Sequence, residues 1–173
     1  MVKRRTSDDM GKYDVIFESE NIFYVKLSYD LIEDYLKMVN DPNVAKMISK
    51  NIFVYTYEQE FKWVRKKLEE KDHIFSMVEK ETGEFIGNIE IMSQNDGIGE
   101  IGISITSEKQ DRHYGTEAMK RIIEYGYNEL KLNGFELNVY KTNPRAIHCY
   151  ENVGFVNVGS GKEEDDIHMM LKK

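Results

Sequence analysis

Residues 110–118 read QDRHYGTEA, and they connect an alternating run, EIGISI at 100–105, to a run that begins TEAMKRII. Alternation with a period of two predicts a strand, and helical spacing of apolar residues predicts an amphipathic helix. That apolar face consists of Ala118, Met119, Ile122, Ile123, Gly126 and Leu130. A loop before a helix presents unpaired N–H groups and the positive end of the helix dipole, so a pyrophosphate is its natural ligand. Gly115 would allow close backbone approach, although an ordinary solvated loop has the same pattern.

The length and composition of the chain fit one domain. With 173 residues, we expect residues 1–12 to form a flexible terminus and residues 13–173 a single domain. The longest apolar runs are only a few residues, far short of the roughly 20 that span a bilayer, and no apolar segment of a secretion signal follows the charged N-terminus. The single cysteine, Cys149, excludes an internal disulfide. These features favour a cytoplasmic protein that does not interact with membranes.

The charge and the histidine spacing exclude two further classes of protein. A net charge of −7 argues against nucleic-acid binding, which needs a basic face, and is compatible with a cationic substrate. The four histidines show no ligand spacing, so no metal site is expected; they are His73, His113, His148 and His168.

The remaining sequence predicts a regular order of strands and helices. Two short strands begin at Tyr13, and helix-start signals follow at Ser28, at Asp41 and at Thr56. Turns at ETGE and NDGIG then separate three antiparallel strands, and after the central helix, which we expect to end at Gly134, come a strand, a helix and a hairpin. This order predicts an α/β fold with a mixed sheet.

A second motif lies near the C-terminus, where residues 143–155 read NPRAIHCYENVGF. Helical spacing puts Ala146 and Tyr150 on one face, one turn apart. The small Ala146 permits close approach, and Tyr150 points along the same side. Tyr150 could equally be a half-buried aromatic residue with its hydroxyl group at the surface.

Together the two segments closely resemble the GNAT superfamily of N-acetyltransferases. That family carries Gln/Arg-x-x-Gly-x-Gly/Ala between its fourth strand and the next helix, which here reads Gln110 to Gly115 with His113 at the first glycine. Its second pattern, Asn-x-x-Ala-x-x-x-Tyr-x-x-x-Gly-Phe, is complete here, as Asn143, Ala146, Tyr150, Gly154 and Phe155. The EIGISI strand and the GTEA helix start are similar to the ribosomal-protein-alanine and polyamine acetyltransferase branch. The resemblance covers roughly residue 22 to the end.

The resemblance implies a fold and a cofactor site. The fold is a mixed, mostly antiparallel sheet of about seven strands, with splayed fourth and fifth strands and about four flanking helices. The pantetheine arm of acetyl-CoA would pair with the exposed backbone of Ile103, Ser104 and Ile105. Its pyrophosphate would lie on the loop formed by Gln110, Asp111, Arg112, His113, Tyr114 and Gly115, with Thr116 just beyond. Asn143 matches the family residue that helps to hold the cofactor arm.

The implied activity is direct acetyl transfer from acetyl-CoA to a primary amine. Tyr150 matches the family tyrosine that protonates the departing CoA thiolate. The general base is less defined: Glu100 could act directly or through water, Glu90 is a second candidate, and both could be plain solvent-facing strand residues. Cys149 has no visible base partner, so a small buried residue is its default role rather than a nucleophile.

His113 has three interpretations. The interpretation that we favour is that His113 is tolerated because this loop does not need a positive φ there. Alternatively, His113 adds a contact to phosphate, or it weakens cofactor binding. Arg112 could supply charge to a phosphate, and a solvated surface arginine would look the same. The complete second motif argues against a degenerate enzyme.

The acceptor would be an amine-bearing small molecule, such as a polyamine, or a peptide or protein N-terminus. It would enter between the early helices and the sheet, where aromatic residues occur that core packing explains equally well: Tyr29, Tyr35, Phe53, Tyr55, Tyr57 and Trp63. A rival interpretation is a non-catalytic acyl-CoA-binding or regulatory domain that keeps the fold. A homodimer, paired through the terminal strand, is a further expectation.

Overall fold

The computed structural model describes residues 11–173, except for the side chain of Ser93. Most of the expected flexible terminus, residues 1–10, lies outside the described residues. The strands are β1 (Val15–Glu18), β2 (Ile22–Val25), β3 (His73–Glu79), β4 (Phe85–Asn95), β5 (Ile98–Ile105), β6 (Gly134–Tyr140), β7 (Val156–Ser160) and β8 (Asp166–Lys172). The helices are α1 (Ile32–Val39), α2 (Pro42–Ile48), α3 (Tyr57–Glu70), α4 (Tyr114–Asn128) and α5 (Pro144–Val153).

All eight described strands form one sheet in the order β1-β2-β3-β4-β5-β6-β8-β7. Every neighbouring pair is antiparallel except β5 and β6, which run parallel because the α4 crossover connects them. The predicted mixed, mostly antiparallel sheet is therefore confirmed. The described part of the chain has one strand and one helix more than expected.

The helix starts agree with the signals in the sequence. Thr56 and Gln59 form a capping box at α3, in which each side chain accepts a hydrogen bond from the other residue's backbone N–H, at 3.3 and 2.9 Å. Asp41 caps α2 by accepting from the Asn43 N–H at 2.9 Å. The expected end of the central helix at Gly134 is wrong, because α4 ends at Asn128 and Gly134 is already the first residue of β6.

The sheet separates two apolar cores. One face packs against α4 and α5, with side chains such as Phe75, Ile89, Met119 and Phe135 fully or almost fully buried. The other face packs against α1, α2 and α3, where Ile74, Val78 and Val64 are buried. Ile74 and Phe75 are consecutive, so the period of two along each strand distributes its side chains between the two cores.

The centre of the sheet contains a notch. Strands β5 and β6 pair only at their beginnings, from Ile98 opposite Gly134 to Glu100 opposite Glu136. Beyond Glu100, β5 continues to Ile105 paired only with β4, and β6 continues to Tyr140 paired only with β8. The predicted splay of the family's fourth and fifth strands is confirmed here as the divergence of β5 and β6, which leaves backbone groups of residues 101–105 without a strand partner on one side.

Candidate active site

The segment between β5 and α4 lies at the open end of the notch. After β5 it makes a short 3-10 turn at Ser107–Lys109, and α4 begins at Tyr114. The side-chain amide of Gln110 donates a hydrogen bond to the Ile105 carbonyl at 2.9 Å, which holds the loop against the end of the strand. The N-terminus of α4 therefore lies beside the end of β5, where a Cβ on Gly115 would be 3.6 Å from Ile105 Cδ1.

His113 occupies the left-handed backbone region, with φ of 66° and ψ of 9°. The expectation that this loop does not need a positive φ at His113 is therefore wrong. A non-glycine residue pays roughly 1–2 kcal/mol for this conformation, and histidine is among the residues that adopt it most readily. The imidazole makes no capping bond and is exposed, so it stands at the helix N-terminus where a phosphate would bind.

We expect His113→Gly to raise the stability of the protein and to weaken the acetyl-CoA binding that the family resemblance implies. Glycine adopts the same φ without strain, so the free energy of unfolding should increase by about 1 kcal/mol. The loop backbone already has the conformation that glycine would give, so the loss of the imidazole donor should raise the Kd about two- to fivefold. Urea unfolding and calorimetric titration measure the two effects. Tighter binding by the variant would mean that His113 hinders the cofactor.

A buried polar cluster of Glu79, Lys109 and Tyr114 holds the loop in place. The Lys109 ammonium lies 3.4 Å from each carboxylate oxygen of Glu79, and both side chains are almost fully buried. The Tyr114 hydroxyl, at the start of α4, donates a short hydrogen bond to the same carboxylate. Burial alone would raise the pKa of Glu79, but the hydrogen bonds from Tyr114 and Thr82 and the Lys109 charge outweigh it and lower that pKa. Strand β3 thus fixes both ends of the loop.

We expect Glu79→Gln to destabilise the protein by about 2–4 kcal/mol at neutral pH. The amide keeps an acceptor for Tyr114 but leaves the buried ammonium of Lys109 with only the largely exposed Glu84, 3.5 Å away. Because folding lowers the pKa of Glu79, its contribution is complete above the ordinary carboxyl pKa of about 4.3 and is lost as the pH falls below it. Urea unfolding from pH 7 to pH 3 should show the two proteins converging in acid, and parallel curves would contradict this.

The first turn of α4 faces α5 across a narrow gap. A Cβ atom placed on Gly115 would lie 3.5 Å from Cys149 Sγ and 3.6 Å from Ile105 Cδ1, which are ordinary contact distances. Neither backbone conformation nor packing therefore requires glycine at this position. Thr116 Oγ1 lies 3.5 Å from Cys149 Sγ. Burial raises the pKa of the Cys149 thiol, only partly offset by Thr116, which opposes a nucleophilic role.

Helix α5 positions Asn143 and Tyr150 along the gap. The Asn143 side chain caps the helix by accepting from the Ala146 N–H at 3.3 Å. The Tyr150 ring is half-buried, packs against the first core and lies 6.2 Å from the ring of Phe155. Its hydroxyl makes no hydrogen bond with any residue in the range 11–173. Burial raises the pKa of Tyr150, so the phenol is protonated at neutral pH.

The two candidate bases lie on the opposite face of the sheet, on neighbouring strands. The Glu100 carboxylate is paired with the exposed Lys162 ammonium at 2.8 and 3.0 Å. Glu90 lies over Gly102, because a Cβ there would be 3.5 Å from Glu90 Oε1. Burial raises the pKa of Glu90, and the Lys67 charge offsets this only in part. Both remain candidates.

The helices on this face and the loop after α2 line a partly open cavity of about 210 Å³. Four of the aromatic residues anticipated from the sequence line it: Tyr35, Phe53, Tyr55 and Trp63. Tyr29 and Tyr57 do not line it, and Tyr29 instead stacks on Phe61 at 4.8 Å. Asn88 of β4 and Glu60 of α3 also line the cavity, and sequence reasoning missed Glu60.

Neither a metal-binding cluster nor a membrane-spanning helix occurs among the described residues. Between residues 11 and 173, no group of three or more His, Cys, Asp or Glu side chains is arranged to hold a metal ion. None of the helices in that range combines the length and the apolar character needed to cross a membrane.

Comparison with known proteins identifies the family. Residues 22–156 match the family described as an acetyltransferase (GNAT) domain. Because this match covers most of the chain, the protein belongs to the GNAT acetyltransferase family, and the resemblance found in the sequence is confirmed.

Two curated relatives are N-acetyltransferases by name. A spermidine N(1)-acetyltransferase of Vibrio cholerae serotype O1 is 30% identical over 126 residues, which cover 67% of this chain and 72% of that protein. An uncharacterized N-acetyltransferase of Bacillus licheniformis is 31% identical over 94 residues. The chain spans about half the length of this second relative, 53% of each protein being covered.

Solved structures share the fold. A GNAT-family acetyltransferase of Bacillus anthracis superposes with a TM-score of 0.80 at 20% identity, covering 90% of this chain and 96% of that one. A Vibrio cholerae spermidine N-acetyltransferase, solved with CoA and spermine, gives 0.78 at 21% identity, covering 89% and 96%. At this level of identity the likeness establishes the architecture alone.

Proposed function

We propose that this protein is an acetyl-CoA-dependent N-acetyltransferase that acts on a primary amine by direct transfer. The observation that carries the proposal is the notch between β5 and β6, with the N-terminus of α4 at its open end. The backbone groups of residues 101–105 that lack a strand partner on that side suit an amide-containing arm. Unpaired N–H groups at the start of a helix suit a pyrophosphate.

Different segments of the chain would bind different parts of acetyl-CoA. Ile103, Ser104 and Ile105 would pair with the pantetheine arm, and the loop from Gln110 to Gly115, with Thr116, would hold the phosphates. Asn143 already caps α5, so its remaining capacity to donate would be directed at the cofactor arm. Arg112 is exposed beside the loop and would add charge. Bound acetyl-CoA supplies an activated acetyl thioester, and the described site needs no metal for this chemistry.

The chemistry requires a deprotonated amine, a polarised carbonyl group and a protonated leaving thiolate. An N–H group of β5 would polarise the carbonyl. Tyr150 would donate a hydrogen bond to the developing thiolate, since its hydroxyl has no other partner in the described chain. Glu90 or Glu100, directly or through water, would accept the proton that the attacking amine loses. The acceptor would approach from the face that carries α1, α2 and α3.

The test is calorimetric titration with acetyl-CoA and with CoA, followed by a thiol-release assay over a panel of primary amines. Micromolar binding with turnover of at least one amine is the expected result. Binding without turnover of any amine would favour the rival, a non-catalytic acyl-CoA-binding domain. No binding at millimolar acetyl-CoA would refute both.

We also propose a cytoplasmic protein that forms a homodimer through the edge of its sheet. The terminal strand β8 lies between β6 and β7, so it offers no free edge for the pairing expected from the sequence. Strand β7 is the edge strand at this end of the sheet, and its Val156 and Val158 are exposed. Light scattering that gives the mass of a monomer at all concentrations would contradict the dimer.

A further inference from the structure

The Glu60 carboxyl group is buried without a partner. Its residue is only 6% exposed, and Oε2 is sealed from solvent yet accepts no hydrogen bond from the described part of the chain. Burial raises the pKa of Glu60, and no neighbouring charge offsets that effect. It is the one such buried side-chain oxygen or nitrogen among the described residues. An unpaired buried carboxylate is costly, so its position calls for a function.

The geometry of α3 directs Glu60 inward. Glu60 and Val64 are one helical turn apart and are both buried, which defines the inner face of the helix. Glu58, two positions earlier, points outward and pairs with Lys62 at 3.2 Å. A carboxylate in the first turn benefits from the helix dipole on either face, so the dipole does not explain why Glu60 is on the buried one.

The cavity around Glu60 has the chemistry of a cation site. Its aromatic residues include Tyr35 and Trp63, whose rings meet edge to face at 6.0 Å, as well as Phe53 and Tyr55. Aromatic rings attract cations through their electron-rich faces, and a carboxylate adds a full opposite charge. A volume of about 210 Å³ holds roughly seven water-sized groups at about 30 Å³ each, enough for a short alkylammonium chain.

We propose that this cavity binds a positively charged group of the acceptor, separate from the amine that is acetylated, with Glu60 as the counter-ion. The inference rests on the proposed acetyl transfer and specifies its substrate class, which is diamines and longer polyamines rather than monoamines. Asn88 lines the cavity and is the register partner of Ser104 on β5. The cavity therefore reaches the strand next to the segment proposed to hold the thioester arm, and a flexible diamine would span the two.

The kinetic test compares 1,6-diaminohexane with hexylamine in the thiol-release assay. Glu60→Gln should raise the KM for the diamine about 10- to 100-fold, the usual range for loss of a charge-assisted hydrogen bond, while kcat stays within about twofold. The KM for hexylamine should be unchanged. Glu58→Gln, on the outer face of the same helix, is the matched control and should leave both substrates unaffected. Equal effects of Glu60→Gln on both amines, or a fall in kcat alone, would overturn the inference.

A binding test without acetyl-CoA separates this inference from the proposed activity. Trp63 is the single tryptophan of the chain and lines the cavity, so its fluorescence reports occupancy. Titration with 1,6-diaminohexane should give a saturable change that Glu60→Gln loses, and neutral 1,6-hexanediol should give none. If no amine is acetylated but this signal depends on Glu60, the activity is refuted and the cation site stands. If amines are acetylated without such a signal, the cation site is refuted.

The folding of the variant supplies a further check. Glu60→Gln replaces a buried ionisable group with a neutral isostere, so its Tm should equal or exceed that of the parent protein. In the parent protein, 1,6-diaminohexane should raise the Tm and 1,6-hexanediol should not. This last comparison needs no variant, and an equal effect of the two compounds would contradict the cation site.

Discussion

Replacement of Tyr150 by phenylalanine is expected to lower kcat about 100-fold or more, with the KM for acetyl-CoA changed less than about threefold. The ring contacts of Tyr150 in the first core survive this change, including its approach to Phe155. The lost hydroxyl makes no hydrogen bond within residues 11–173, so folding should not depend on it. The effect should therefore fall on the transition state and not on stability. Steady-state kinetics and thermal unfolding measure both.

The raised pKa of Tyr150 refines its role. A thiol titrates near pH 8.5, well below the pKa of this phenol, so complete proton transfer from Tyr150 to a thiolate is unfavourable. The hydroxyl would instead donate a hydrogen bond as negative charge develops on sulfur and would keep its own proton. The proton of the reacting amine would pass to Glu90 or Glu100 and then to water, and water would protonate the departing CoA thiolate. Because the pKa of Tyr150 is raised, its ionisation should cause no fall in kcat below pH 10.

Tyr127→Phe is the matched control for Tyr150→Phe. Tyr127 lies on α4, is half-buried and packs edge to face on Phe135 at 5.0 Å, on the same side of the sheet as Tyr150. Loss of the Tyr127 hydroxyl should leave kcat within twofold of the value for the parent protein. A rate within twofold for Tyr150→Phe as well would remove Tyr150 from the proposed role, and a falling Tm would assign it to packing.

The parts of the fold that the sequence predicted are those set by local periodicity and local hydrogen bonding. The alternation at 100–105 and the helical spacing from Ala118 to Leu130 depend only on residues within one element. The Thr56 capping box is likewise a contact within four residues. These local signals, taken in order along the chain, predicted the order of strands and helices, whereas the notch between β5 and β6 was expected only from the resemblance to the family.

The support of the site could not be predicted, because it depends on contacts between distant residues. Glu79 lies 30 residues before Lys109 and 35 before Tyr114, and no short motif joins them. The pairing of Glu100 with Lys162 spans 62 residues. A run such as KEEDD at 162–166 indicates a solvated turn, and nothing local shows that its lysine reaches the sheet.

Glu60 was missed and His113 was misjudged, for different reasons. Glutamate in the first turn of a helix is ordinarily solvated, so its burial follows only from how α3 packs. At His113 the pattern of the family indicated glycine, and the positive φ that glycine serves is retained by a residue that tolerates it less well. The side chain at position 113 therefore differs from the family pattern, while the backbone conformation is one that glycine adopts readily.

Gly115→Val is expected to raise the KM for acetyl-CoA at least tenfold, while kcat at saturation stays within about threefold. Packing leaves room for a Cβ at this position, with the nearest atoms 3.5 Å away at Cys149 Sγ and 3.6 Å at Ile105 Cδ1. A branched side chain would extend beyond that Cβ into the space where a phosphate would approach the first N–H groups of α4. The obstruction should act on ligand binding far more than on folding.

Gly115→Ala is the smaller substitution at the same position and serves as the control for Gly115→Val. Alanine adds only the Cβ that the gap accommodates, and the family pattern accepts alanine at this position. It should stabilise the helix by about 0.5–1 kcal/mol and leave the KM within about threefold. Calorimetric titration with CoA gives the affinities directly, and urea unfolding gives the stabilities. If Gly115→Val leaves the affinity for CoA unchanged, the phosphates bind elsewhere. If Gly115→Ala weakens the affinity as much as Gly115→Val does, the ligand contacts the backbone at residue 115 itself, more closely than the gap between α4 and α5 implies.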